Sequence, residues 1–149
     1  MRLMVYLLVG LCVAVIGLMG WVRLAPHDVE RFHTEVRAEN QTTFDVKKIG
    51  ALAVTDAYPQ SPQVVMQRFV DIALNSPRTK VLAGSVESGR ITLVTRTLFW
   101  GFADYSTIES VHSPEGTRLK IFARMRWNGS DWGVNAKRLK GWLKTFTDV

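Results

Sequence analysis

A chain of 149 residues with 47% hydrophobic and 21% charged side chains holds one globular domain plus a short appendage, and is too apolar to be disordered. A single cysteine, Cys12, excludes an internal disulfide and a thiolate metal site, and the three histidines, His27, His33 and His112, are scattered. The net charge of +6 lies wholly in residues 118–149, where eight cations meet two acids, while the first 117 residues are neutral with eleven charges of each sign.

Residues 3–22 carry no charge, and Arg2 and Arg23 bracket them. At about 1.5 Å per residue such a helix spans about 30 Å, the thickness of a bilayer's hydrocarbon core. Trp21 stands at one end, where an indole prefers the membrane interface. Residues 1–23 are therefore expected to be a transmembrane anchor. A cleaved leader is the main alternative, but Trp21-Val22-Arg23-Leu24 offers no small-x-small site. The cations Arg23, Arg31 and Arg37 after the span argue for a cytoplasmic domain. The habit of short amino-terminal hydrophobic segments argues for export, and export is the expectation adopted.

Residues 24–43 are charged and mixed, starting Ala25-Pro26-His27-Asp28, and read as a linker: an irregular tether or a short helix, with weak periodicity favouring the tether. Residues 49–58 predict a first strand, ended by Pro59. Ser61-Pro62 marks a helix start, a hydroxyl cap followed by proline. Val65, Phe69, Ile72 and Ala73 then share one face, and Asn75-Ser76-Pro77 stops the helix. Four strands follow, over residues 80–86, 91–98, 103–112 and 117–126. They are joined by the hairpin Glu87-Ser88-Gly89-Arg90, the aromatic corner Phe99-Trp100-Gly101-Phe102 and the turn Ser113-Pro114-Glu115-Gly116. In the last strand Leu119, Ile121, Ala123 and Met125 alternate with Arg118, Lys120, Phe122, Arg124 and Arg126. A final helix runs from Val134 or Asn135 to Phe146, with Leu139, Trp142, Leu143 and Phe146 inward and Lys137, Lys140 and Lys144 outward, and with Asn135 or Asp131 as its expected cap. The order β-α-β-β-β-β-α over residues 44–149 predicts an α+β two-layer sandwich: a mostly antiparallel sheet with helices on one face.

The sequence lacks a Gly-rich phosphate loop, a His-Glu-x-x-His and a Gly-x-Ser-x-Gly, and no catalytic residue, cofactor or metal is expected. What it does contain is a basic strand face, a turn Asn128-Gly129-Ser130-Asp131, and a helix amino terminus whose N–H groups attract anions. Lys137 and Arg138, near the first turn, oppose the helix dipole, a conflict an acidic ligand could offset. The candidate ligand-binding residues are Arg96, Asp104, Arg124, Arg126, Ser130, Asp131, Asn135, Lys137 and Arg138. Against this stands a purely architectural reading, which the sequence favours: Asp131 caps the helix and pairs with Arg126 or Arg96. An acid–base pair of Asp104 and Asp131 is a weaker alternative. Trp127 and Trp132 beside the cations invite a nucleic-acid reading, but a membrane tether makes nucleic acid a poor partner.

The strings at residues 96–104 and 126–138 resemble the paired signatures of the bacterial and plastid family known as domain of unknown function 1499. Arg126, Ser130, Asp131, Gly133, Asn135 and Arg138 match its second signature position by position. Asn128 replaces an expected glycine, and Tyr105 stands where a second aspartate often follows the first. The cysteine-containing amino-terminal stretch of many members is missing, so no metal or disulfide role carries over. The resemblance covers roughly residues 44–146 and implies no activity. Together with the anchor it leads to an expected setting: a single-pass protein of the bacterial inner membrane with a periplasmic domain. The expected role is a non-enzymatic accessory or binding domain of the cell envelope, its basic face meeting anionic lipid, a cell-wall polymer or an acidic protein. Two alternatives remain. One is an enzyme acting on a phosphate- or carboxylate-bearing substrate through Asp104 and Asp131 with Arg96 and Arg126. The other is a structural subunit of a membrane complex.

Overall fold

The computed structural model describes residues 1–127 and 129–148. In chain order these form α1 (Arg2–Leu24), α2 (Val29–Phe32), β1 (Thr43–Lys47), β2 (Gly50–Val54), α3 (Pro62–Leu74), β3 (Thr79–Ser85), β4 (Arg90–Arg96), β5 (Ala103–Ser113), β6 (Gly116–Met125) and α4 (Val134–Thr147). The six strands make one sheet in the order β1-β2-β6-β5-β4-β3, antiparallel at every pairing. Helices α3 and α4 pack on one face, so the α+β sandwich expected from the sequence is the observed class.

At its amino-terminal side the sheet has two strands where one was expected. β1 is exposed along almost its whole length and shows no apolar alternation to mark it. β2 pairs with β6 at unusually close quarters. A Cβ on Gly50 would stand 2.0 Å from the Ala123 carbonyl oxygen, so only glycine fits there.

The helix-side core follows the predicted periodicities. The Ser61 hydroxyl accepts from the Val64 N–H at 3.5 Å and starts α3, which buries Val65, Met66, Phe69, Val70 and Ala73. From α4 come Leu139, Trp142 and Phe146, and Phe69 meets Trp142 and Phe146 edge-on. Leu119, Ile121 and Ala123 of β6 lie beneath them, as the alternation requires. Each such fully buried aliphatic or aromatic side chain contributes about 1.5–3 kcal/mol.

The second face of the sheet is covered too, and this differs from the sequence reading. Residues 25–42, expected as a tether, lie across it as a strap. Phe32 is buried and stacks on Tyr105 of β5 with ring centroids 3.7 Å apart, and Val36 further along the strap is buried too. The strap is mostly irregular, so its carbonyls need partners from elsewhere. The sheet's cations supply them. Arg126 donates to Pro26 O at 2.7 Å, Arg124 to Phe32 O at 2.8 Å and Lys120 to Ala38 O at 2.6 Å. Arg118 reaches the Thr42 hydroxyl at 2.9 Å, and Glu109 accepts from the Val36 N–H at 3.0 Å. The cationic row expected to form a basic face for an anionic ligand thus points at the chain's own strap.

Helix α1 is long and apolar enough to cross a membrane, and none of its apolar window is buried against the domain. That is compatible with a single-pass anchor or a signal sequence. Its last turn touches the domain. Val22 is buried, Arg23 donates to Phe99 O at 2.8 Å and to Trp100 O at 3.2 Å, and Trp21 stacks on Trp127 at 5.9 Å.

Candidate functional site: a polar corner under an aromatic rim

The residues singled out in the sequence fall on two faces of the sheet. Alternation along β5 sends Asp104 towards the helices, with Ile108, and Tyr105 towards the strap. Asp104, Asp131, Asn135 and Arg138 meet on the helix side. Arg96, Arg124 and Arg126 are on the strap side and do not join them.

On the helix side the corner between β6 and α4 is built by a double cap. Asp131 accepts from the Gly133 N–H through Oδ1 and from the Asn135 N–H through Oδ2, each at 3.0 Å, satisfying orphan donors at the start of α4. The chain turns through left-handed conformations at Trp132, φ 49°, and Gly133, φ 79°. The Ser130 hydroxyl accepts from the Trp132 N–H at 3.3 Å. Behind the cap Arg138 donates to Asp104 Oδ2 at 2.9 Å and to Asn135 Oδ1 at 2.7 Å. Asn135 is completely buried, and its Nδ2 lies near the Asp104 carboxylate but outside hydrogen-bond geometry. Burial pushes the Asp104 pKa up from its usual value, against the opposing pull of Arg138. The expected Asp131 partnership with Arg126 or Arg96 is absent among the described residues; the cap it was paired with is there, and Arg138 joins Asp104 instead. Lys137 stands exposed on α4. Both carboxylates are therefore committed to the architecture of the corner.

On the strap side a second cluster forms at the exit of α1. Arg96 donates to Gly101 O at 2.9 Å and lies 3.2 Å from His27 Nε2. A guanidinium only donates, so Nε2 accepts and the ring proton sits on Nδ1, 2.8 Å from the Tyr105 hydroxyl. Burial, then Arg96 and Arg126, hold the His27 pKa below its ordinary 6.5. Burial also raises the Tyr105 phenol, against Arg126 and Arg96. No local motif marks His27 or Tyr105, because the contact joins positions 78 apart. A pH dependence follows from it. The unfolded chain takes up a proton near 6.5, whereas the folded ring stays neutral to lower pH. The stabilisation is complete above 6.5 and is lost as the pH falls through the folded value. Melting the full chain in detergent across this range should show that loss, and His27→Gln should flatten it. Identical pH profiles for the two proteins would count against the assignment.

Between the two clusters, at the end of the sheet where α1 leaves, lies a cleft of about 500 Å³. Its lining is mostly apolar, with Asp104, Ser130 and Asp131 from the helix-side corner and Thr97 and Arg126 as its polar members. Trp21, Phe102, Trp127 and Trp132 line it and are themselves exposed, Trp132 at 91%, and the neighbouring loop adds exposed Leu98, at 75%, and Phe99.

An α+β sandwich closed on its second face by an amino-terminal strap, and continuous with an apolar helix, is the class of protein these observations define. The chain belongs to the family described as protein of unknown function DUF1499, whose model matches residues 25–146. The match begins in the strap, so the strap is part of the family domain, which reaches further than the resemblance read from the signatures. No curated protein and no solved structure matches the chain.

Proposed function

We propose that this protein is a membrane-anchored, non-enzymatic binding domain of the bacterial envelope, held with its aromatic-rimmed end against the bilayer surface on the exported side. The observation that carries the reading is the join between α1 and the domain. Arg23 ties the last turn of α1 to the carbonyls of Phe99 and Trp100, and Arg96 reaches Val22 O at 3.5 Å. A domain fastened this way cannot swing far from the membrane that holds α1. Its exposed Leu98, Phe99, Trp100 and Phe102 then lie level with the interface, where aromatic residues are favoured. The commitment of Asp104 and Asp131 to the corner supports a binding role over a catalytic one. An anionic partner finds its exposed cations on α4, at Lys137, Lys140 and Lys144, rather than on the strand face. Such residues near an anionic surface contribute about 1 kcal/mol each.

The test uses a Cys12→Ser background with single cysteines at Leu98 or Glu87, which lie at opposite ends of β4, each carrying a polarity-sensitive fluorophore. In vesicles the probe at 98 should move to an apolar environment while the probe at 87 stays in water. Two equally aqueous probes would end the reading.

A further inference from the structure

The cleft under the aromatic rim has the chemistry of a hydrocarbon site. Its walls come from Trp21 of α1, Phe102 of the β4–β5 loop, Met125 of β6, and Trp127, Trp132 and Val134 of the corner. Its volume of about 500 Å³ falls within the range of small-ligand pockets. The carboxylates in its lining offer no free charge: Asp104 is paired with Arg138, and Asp131 with the amides of α4. Arg126 also lines the cleft, but its guanidinium is spent on Ala25 O and Pro26 O. The cleft therefore has little with which to select an anionic headgroup and much with which to bury a tail. Trp132 adds an independent sign. A non-glycine residue at φ 49° is strained by about 1–3 kcal/mol, and its 91% exposed indole recovers none of this by packing within the chain. It stands at the mouth of the cleft. Trp21 belongs both to the cleft and to α1, whose uncovered apolar surface must itself be covered by hydrocarbon. The cleft and the bilayer core are thus continuous along one helix.

We infer that this cleft takes one acyl chain of a bilayer lipid, drawn up along α1, with Trp132 closing over it. This rests on the membrane-anchored reading above, and the test separates the two. The full chain is reconstituted in vesicles of phosphatidylcholine and phosphatidylglycerol containing a phosphatidylcholine with a diazirine at the end of one acyl chain. The vesicles are irradiated and adducts are mapped by peptide mass spectrometry. A terminal diazirine normally sits at the bilayer centre, so mere contact of the rim with the interface leaves the cleft unlabelled. The expected result is adducts in α1 and a second set in residues 97–104 and 125–134. Adducts confined to α1 overturn the acyl-chain site and leave the anchor intact. Absence of adducts from α1 overturns the anchored reading itself. Val134→Trp, at the first position of α4, fills the cleft without entering the core. It should cut the second set about tenfold, the effect of excluding about two methylenes, with the α1 yield unchanged. Undiminished cleft labelling in a variant with an unchanged circular dichroism spectrum would also overturn the site. If that variant does not fold, the adduct map of the unsubstituted chain decides alone.

Discussion

Replacing Phe32 with alanine is expected to destabilise the protein by about 3–5 kcal/mol, although residue 32 lies outside the helix-side core. A free tether would lose almost nothing, because exposed substitutions change stability by about 0.5 kcal/mol or less. The difference lies in what the ring touches. It is stacked on Tyr105, and the Arg124 guanidinium stands 5.4 Å from its centroid. Its carbonyl accepts from both Arg124 and the Thr107 hydroxyl. Without the ring the strap loses its wedge, and Arg124, buried with a pKa already lowered by burial, loses its cover. Urea unfolding of the full chain in detergent measures the loss. Trypsin gives a local readout, since Arg31 and Arg37 are exposed on the strap and should be cut much faster in the variant. Unchanged stability and unchanged cleavage would show that the strap is not fastened as described.

Arg138→Met is expected to be comparably severe, at about 3–5 kcal/mol. A solvated ion pair contributes at most about 1 kcal/mol, but here the side chains are only 15% and 6% exposed. Removing the guanidinium leaves the Asp104 carboxyl buried without its partner and Asn135 Oδ1 without a donor. The Asp104 pKa, already raised by burial, rises further once Arg138 no longer opposes it. The unfolded chain ionises near 3.8 while the folded carboxyl resists, so the deficit is small in acid and grows as the pH rises. A second change, Asp104→Leu, removes the stranded charge and should return a large part of the lost stability. A double variant no better than the single one would show that the two residues do not act as a pair.

Much of the helix side was legible because its signals are local. Ser61-Pro62 starts α3, Pro114 and Gly116 shape the β5–β6 turn, and Leu119, Ile121 and Ala123 alternate inward as they must. The cap by Asp131 was legible for the same reason, since it closes within four residues. The strap was not, because its buried residues, Ala25, Phe32 and Val36, fall in a segment without regular periodicity. One indirect sign existed. Ile91-Thr92-Leu93-Val94-Thr95 is buried at every position, and such an unbroken run without a charged residue in an antiparallel sheet requires cover on both faces. The destination of the arginines could not be read either, since a cation facing water and a cation facing a carbonyl leave the same pattern in the chain. The aromatic cleft draws its walls from three separate stretches, around Trp21, Phe102 and Trp127, so no single window contains it.

The strap also bears on when the protein becomes complete during synthesis. Phe32 O and Arg124 are 92 positions apart, and Ala25 O and Arg126 are 101 apart. Contacts over such separations form slowly, because the loop between them must be closed first. The strap leaves the ribosome early, yet its partners on β6 are made after most of the chain. Until then Tyr105 and Val94 have no cover on that side, and the growing chain holds open the apolar row that later receives Phe32. The residues made soon after α1 are thus among the last to find their places.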